Sequence, residues 1–259
     1  AAAENAEEQK IAADNLMTYQ YNYVDHADDA ITVTNIYSET GEVLTIPLDR
    51  RLSIIQNMQA YYKKYDKLKR AQKLLAVQQD ACRANIRHLE SIEASLDSST
   101  RLAEIAEIQE ELIASGYLHE KMPKKNKDRR AHPFSFTAPD GMTILVGKNN
   151  MQNDALTFRT AAPTDLWLHV RDIPGSHVIL RTGGAAPSEE TLHLAAQIAA
   201  HFSKARGSST VPVDYTAIRF VKKPSGAVPG FVRFTHEKTL FVTEDEEALA
   251  PILAQDPTV

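Results

Sequence analysis

The sequence predicts an α+β fold: an antiparallel coiled-coil arm carrying a small β-hairpin, then a compact mixed α/β domain with a mostly antiparallel sheet. Three observations predict it. Eleven of the twelve prolines and eight of the ten glycines lie beyond Met122, and neither residue occurs between Leu48 and Ser115. The residues that punctuate local structure thus separate a helical half from a strand-rich one. Within the clean stretch, Ile54, Tyr61, Leu68, Leu75, Cys82, Leu89 and Leu96 recur every seven residues. Met58, Tyr65, Gln72, Gln79 and Ile86 form a second line four residues on, which is the spacing of a coiled-coil seam. After Pro133 the heptads give way to short apolar runs separated by turn residues.

At 259 residues and 43% hydrophobic, the chain can bury a core and still extend an arm. Its formal charge of -5 argues against a generic nucleic-acid binder, so any such role must rest on local basic patches. Cys82 is the single cysteine, which excludes an intramolecular disulfide and thiolate-rich metal sites and fits a reducing compartment. Its heptad position makes it a small seam residue. No run of about eighteen apolar residues occurs, and the N-terminus lacks the basic and apolar regions of a signal peptide. A cytoplasmic protein without membrane insertion is the expectation.

In chain order, the coiled-coil region covers residues 1–120 and opens on an Ala/Glu-rich helix over 3–20. That helix begins abruptly, as a piece cut from a longer arm would. Alternation in Ile31-Thr-Val-Thr-Asn-Ile36 and Glu42-Val-Leu-Thr-Ile46, either side of a turn at Gly41, predicts a hairpin over 31–47. Asp49 can cap the long helix and Asp97-Ser-Ser-Thr100 interrupts it, giving about 49 residues or ~70 Å. A shorter helix over 100–115, stopped by Gly116, offers Leu102, Ile105, Ile108 and Leu112 as its apolar face. It is too short to cover the seam, which must break near Gln72 and Gln79 or pack on something else, such as the helix over 3–20. Residues 121–132 read as a basic linker, with six basic residues and one acid over 121–130. The second domain spans 133–259, with strands over 134–137, 142–146, 166–170, 178–181, 215–221 and 240–243. Its clearest helix starts at Ser188, places Glu189 and Glu190 in the first turn and stops at Gly207.

Few residues read as chemistry. Five residues separate Gly141 from Gly147 where a phosphate-binding loop has four, and Asn149 replaces its Ser/Thr, so Lys148 is not a Walker lysine. His169, Arg171, Asp172, Ser176 and His177 make the densest polar cluster. A Ser-His-Asp arrangement or a metal site is formally open there, beside a satisfied turn or a ligand-contacting loop. However, Gly175-Ser-His177 is no nucleophile elbow, and adjacent Ser and His diverge in a strand. No catalytic residue, metal or cofactor is therefore expected. The amides of the run 149–153 suit phosphates or 2′-hydroxyls, but also cap helices, with Asn153 or Asp154 as cap of a helix through Thr160. Trp167 fits either a base-stacking platform or a core anchor.

Several runs taken together carry a resemblance. Gly147-Lys-Asn-Asn-Met-Gln-Asn-Asp154, Asp165-Leu-Trp-Leu-His169, Pro174-Gly-Ser-His-Val178, Val211-Pro-Val-Asp-Tyr-Thr216, Lys222-Lys-Pro-Ser-Gly226, Pro229-Gly230 and Lys238-Thr-Leu240 resemble the C-terminal RNA-binding domain of the NFACT family. Ile46-Pro-Leu-Asp49, Tyr61-Tyr-Lys-Lys-Tyr65 and Glu104-Ile-Ala-Glu-Ile-Gln-Glu-Glu-Leu112 are similar to its middle coiled coil. The family groups NEMF-type, RqcH-type and FbpA-type fibronectin-binding proteins. The resemblance implies ribosome-associated quality control: binding an obstructed large ribosomal subunit through rRNA and ribosomal proteins, and binding tRNA for template-free alanine tailing. It assigns this chain docking without catalysis. The contacts it suggests are Lys148, Asn149, Asn150, Asn153, Trp167, His169, Arg171 and His177 in the domain, with Lys63, Lys64, Lys67 and Arg70 on the arm, where a solvated charged flank is the plainer alternative. The other implied class is a surface adhesin that binds host fibronectin, which would act at the cell surface.

Overall fold

The computed structural model describes residues 2–23, 28–120 and 131–256. The fold is α+β, as the sequence predicts, and divides into two compact units, residues 1–84 and 85–259. The linker over 121–130 lies outside the described residues.

In the first unit, α1 (Ala2–Tyr19) precedes β1 (Ala30–Thr34) and β2 (Val43–Pro47). The two strands pair antiparallel, with Ile31 opposite Ile46 and Val33 opposite Leu44. Because side chains alternate across a strand, this register turns Ile31, Val33 and Ile46 to one face. There they pack with Ala12 and Leu16 of α1, with Leu48, and with Ile54 at the start of α2 (Ile54–Asp97). Asn15 is fully buried, and its amide ties α1 to the turn after β1: Nδ2 donates to Ile11 O (2.9 Å) and Asn35 Oδ1 (3.2 Å), while Oδ1 accepts from Ile36 N (3.0 Å).

The cap of α2 is Ser53, not Asp49. Ser53 Oγ accepts from Gln56 N (3.2 Å) and Gln56 Oε1 accepts from Ser53 N (2.8 Å), a reciprocal capping box. Asp49 instead accepts from Arg51 N at 3.0 Å and pairs with its guanidinium. The heptad seam closes only at its first positions, where Ile54, Met58 and Tyr61 meet the hairpin cluster. Beyond them Leu75 and Cys82 are exposed.

The second unit contains the last turns of α2, α3 (Leu102–Ala114) and a six-stranded antiparallel sheet. Its strands are β3 (Phe134–Thr137), β4 (Thr143–Val146), β5 (Leu166–Val170), β6 (Val178–Arg181), β7 (Val211–Ala217) and β10 (Lys238–Val242), in the order β10-β7-β5-β6-β4-β3. One face packs on α5 (Glu189–His201), which Ser188 caps as expected through a bond from Thr191 N (3.1 Å). Leu168, Val170, Val178 and Leu180 meet Ala195, Ile198 and Ala199 there, together with Leu249 of α6 (Glu246–Leu253). On the other face Trp167 and Ile179 cluster with Leu156 and Val221. This side carries α4 (Asn150–Ala155), a π-helical turn Leu156–Thr160, and a ribbon of β8 (Val221–Lys222) and β9 (Arg233–Phe234). The strand expected over 215–221 is therefore two, divided by the 3-10 turn Ile218–Phe220.

The hairpin cluster yields a direct test. Leu16→Ala removes a fully buried side chain and should lower the unfolding free energy of the first unit by about 2–5 kcal/mol. Thr32→Ala on the outer face should change it by less than about 1 kcal/mol. Urea unfolding followed by circular dichroism measures both.

Candidate nucleic-acid interface

The run Gly147-Lys-Asn-Asn-Met-Gln-Asn-Asp154 leaves β4 and opens α4. Asn149, in an extended conformation, is the N-cap, and its Oδ1 accepts from Gln152 N at 2.9 Å. The cap thus precedes Asn153 and Asp154, where the sequence placed it. Asn153 reaches across to β6, its Oδ1 accepting from His177 N at 3.0 Å. The same oxygen lies where a Cβ on Gly147 would stand, 2.1 Å away, so only glycine admits this approach. Asp154 accepts from Gly230 N (3.0 Å) and pairs with Lys223.

The run is met by three glutamates of α3. Glu104, Glu107 and Glu111 are spaced three and four residues apart and share one face of the helix. Glu104 Oε1 pairs with Lys148 Nζ at 2.9 Å, with side chains only 3% and 7% exposed. Its Oε2 accepts from Thr100 N (2.9 Å) and Arg101 N (3.2 Å) at the start of α3. Lys148 Nζ also lies 3.8 Å from the centroid of the Phe134 ring, a cation–π contact. Glu107 Oε2 accepts from Asn149 Nδ2 (2.7 Å) and Gln152 Nε2 (2.8 Å), and its Oε1 accepts from Ala131 N (3.0 Å). Glu111 Oε1 accepts from Asn150 Nδ2 (2.9 Å) and lies 2.9 Å from His88 Nε2, while Asn150 also donates to Ser91 Oγ (2.8 Å).

This ladder rotates α3 from its expected orientation, keeping Ile108 and Leu112 of the expected face inward but turning its first half outward. Leu102 is 86% exposed and Ile105 is also exposed, while Glu104, Ile108 and Glu111 are buried. In the last turns of α2 the buried positions are His88 and Ile92, whereas Leu89 and Leu96 of the heptad line are exposed. Polar pairing outranks apolar content here because Lys148 and three amides would otherwise be buried without partners.

The residues expected to contact RNA are placed unequally. Lys148, Asn149, Asn150 and Asn153 are buried and bonded within the protein, where the sequence reading expected a contact surface. Trp167 is 1% exposed, 4.8 Å from the Phe234 ring and edge-on to His177 at 5.2 Å, so it is the core anchor and presents no open stacking face. His177 is also buried, its Nδ1 2.8 Å from Thr157 Oγ1 rather than facing Ser176. Burial pushes its pKa down to about 3, with the neighbouring His169 adding to the effect. His169, half-buried and stacked on Trp167, is lowered by burial as well. Arg171 is the exposed member of the domain set and holds Asp214 through Nη2 (2.7 Å) and Nε (3.0 Å). In the first unit Lys63, Lys64, Lys67 and Arg70 are all exposed, as a phosphate-binding face requires.

Two further features lie outside the predicted set. A cleft of about 580 Å³ is lined by Ser95, Ser176, Phe202, Lys204, Arg206 and Asp97. Lys204 is tied to Glu93, and Asp97 shares the rim, so little positive charge is left to attract an anion. At the base of the β8–β9 ribbon, Arg219 lies 5.0 Å from the Phe220 ring, which stacks on His236 at 4.2 Å and 23°. The signal in the sequence was two Arg-Phe pairs, Arg219-Phe220 and Arg233-Phe234, which no spacing rule brings together.

Comparison with known proteins gives a consistent picture. Residues 1–131 match the NFACT N-terminal and middle domains, and residues 132–234 match the NFACT protein RNA binding domain. The chain is 42% identical over 250 residues to the Rqc2 homolog RqcH of Bacillus subtilis (strain 168), covering 95% of this chain and 43% of that protein. It is 44% identical over 235 residues to the Rqc2 homolog RqcH of Streptococcus suis (strain 05ZYH33), covering 90% and 42%. The chain thus spans less than half the length of these curated relatives. Among solved structures, the C-terminal part of the fibronectin/fibrinogen-binding protein from Streptococcus suis aligns with a TM-score of 0.70 at 39% identity, covering 97% of this chain and 98% of that one.

The ladder and the buried histidine each make a prediction. Lys148→Met leaves Glu104 charged and buried and should destabilise by about 3–5 kcal/mol, while Lys148→Met with Glu104→Gln should recover much of that loss. Urea midpoints of the two single variants and the double variant measure the coupling. For His177, the unfolded imidazole binds a proton near pH 6.5 and the folded one only near pH 3. Between those values the unfolded state holds the extra proton, so stability falls as pH drops, by at most about 1.4 kcal/mol per pH unit from this group. Unfolding free energies at pH 7, 6 and 5 should show this slope, and His177→Gln should make it shallower.

Proposed function

The chain belongs to the NFACT family, and from that membership we propose that it acts in ribosome-associated quality control by docking on the large ribosomal subunit, with RNA as a direct ligand. The observation that carries this reading is the match of residues 132–234 to an RNA-binding domain in a chain so similar to Rqc2 homolog RqcH proteins. Exposed cations support it. Lys63, Lys64, Lys67 and Arg70 line one stretch of α2, where no ion pair with another described residue is found. With a formal charge of -5 overall, attraction to phosphate must come from such local sites.

In this reading the chain binds but does not catalyse. Template-free tailing and tRNA recruitment belong to the action of the longer protein, to which this chain contributes a foothold. The buried motif at 147–154 serves by holding α3 and the end of α2 on the domain, and RNA is met elsewhere. Cytoplasmic residence follows from the ribosomal role. Among the described residues, no helix is long and apolar enough to cross a membrane.

A second reading is favoured by one observation, the likeness to the solved fibronectin/fibrinogen-binding protein of Streptococcus suis. Adhesion to a host matrix protein would need neither RNA nor low salt. Co-sedimentation of the chain with purified large subunits across a salt series, beside binding to immobilised fibronectin after ribonuclease treatment, separates the two. Docking on RNA should weaken log-linearly with salt, and replacing Lys63, Lys64, Lys67 and Arg70 by Gln should lower both the affinity and the slope. Binding to fibronectin alone, or subunit binding indifferent to salt, would overturn the proposal.

A further inference from the structure

We propose that Arg219, Phe220 and His236 form a stacking platform for an unpaired base of single-stranded RNA, flanked by the phosphate-binding cations Lys222 and Arg233. The inference rests on the RNA reading above and locates the contact on a surface that the motif residues do not occupy. Its geometry is that of a stack already half built: the guanidinium of Arg219 lies 5.0 Å from the Phe220 ring centroid, and the Phe220 and His236 rings are 4.2 Å apart, inclined by 23°. Arg219 and His236 are exposed and Phe220 is half-buried. Aromatic faces with an adjacent arginine hold bases of any identity, because every base offers a π-face.

Two local features mark the surface. His236 adopts φ 58° in the turn between β9 and β10, the left-handed region where Asn, Asp and His are the enriched side chains, and its Nδ1 lies 3.0 Å from Thr235 Oγ1. That backbone turn leaves the imidazole against Phe220 rather than in the sheet. Further, Lys222 stands directly opposite Arg233 in the β8–β9 ladder, and neither has an ion-pair partner among the described residues. Like charges facing across strands repel, and a phosphate between them would turn the repulsion into attraction. Glu237, exposed next to His236, is the acid nearest in sequence.

The platform has a rigid mount, as a site needs. Val221 and Phe234 of the ribbon pack inward with Trp167 and Ile179. Thr216 Oγ1 donates to Thr235 O at 2.9 Å, next to His236. At the far end, Gly230 N is held by Asp154 and Lys223 pairs with the same carboxylate. The buried motif thereby fixes the ribbon that presents the stack.

The test measures binding of the intact chain to a fluorescent twelve-nucleotide single-stranded RNA, and to a blunt duplex RNA of equal length, by anisotropy across a salt series. His236→Asn is the informative variant, because asparagine keeps the left-handed backbone and removes the ring. It should weaken single-strand binding about tenfold without changing the salt slope, and leave duplex binding nearly unaltered. Phe220→Leu should act alike. Replacing Lys222 and Arg233 by Gln should reduce the slope by up to about two. Equal thermal midpoints for wild type and His236→Asn show that the fold is intact. If the wild type binds single strands and both ring variants bind as tightly, the platform is wrong while the RNA reading stands. If the wild type binds no RNA even at low salt, both fall.

Discussion

A lysine ammonium and a glutamate carboxylate lie 2.9 Å apart inside the second unit, and much of that unit is arranged around keeping them together. Burying two charges is costly unless the pair is close and its remaining hydrogen-bonding capacity is used. Glu104 satisfies that condition by also accepting from the backbone at the start of its own helix, and Lys148 gains a cation–π contact over the Phe134 ring. Glu107 and Glu111 extend the arrangement along α3 to Asn149, Gln152 and Asn150. Such a network specifies position more sharply than an apolar face, since a shift of one residue would leave several buried donors unpaired.

The consequence for function is a division of labour along the chain. The polar motif that most suggests ligand binding is consumed in holding α3 against the domain. Its last residue, Asp154, steadies the β8–β9 ribbon from below through Gly230 and Lys223. Exposed cations able to meet a polyanion then stand on α2, where Lys63, Lys64, Lys67 and Arg70 outnumber Asp66, and on the ribbon at Lys222 and Arg233. Under the proposed function, local charge and not the net charge of -5 would decide where a polyanion is held.

Much of the fold was legible from local signals. Heptad spacing and the absence of Gly and Pro mark α2. Alternation marks the hairpin of the first unit, and Ser188 with Glu189 and Glu190 marks α5. These signals work because each depends on neighbours within a turn or a strand. The failures share one cause. Asp49 and Ser53 are both plausible caps, and only the reciprocal bond with Gln56 chooses between them. Likewise, Leu102 and Ile105 look like part of the buried face of α3 until Lys148 and its amides, some forty residues away, draw the neighbouring glutamate face inward.

The sequence by itself therefore determined the α+β class, the main helices and most of the sheet strands, and the family. Periodicity, capping and motif order are properties of contiguous residues. The tertiary structure alone decided which polar residues face inward, because burial is settled by partners distant in the chain. Lys148, Asn149, Asn150 and Trp167 read as a binding surface in sequence, yet they lie in the interior. Arg219, Phe220 and His236, unremarked in the sequence, meet only because the chain returns through the ribbon to stack one ring on the other.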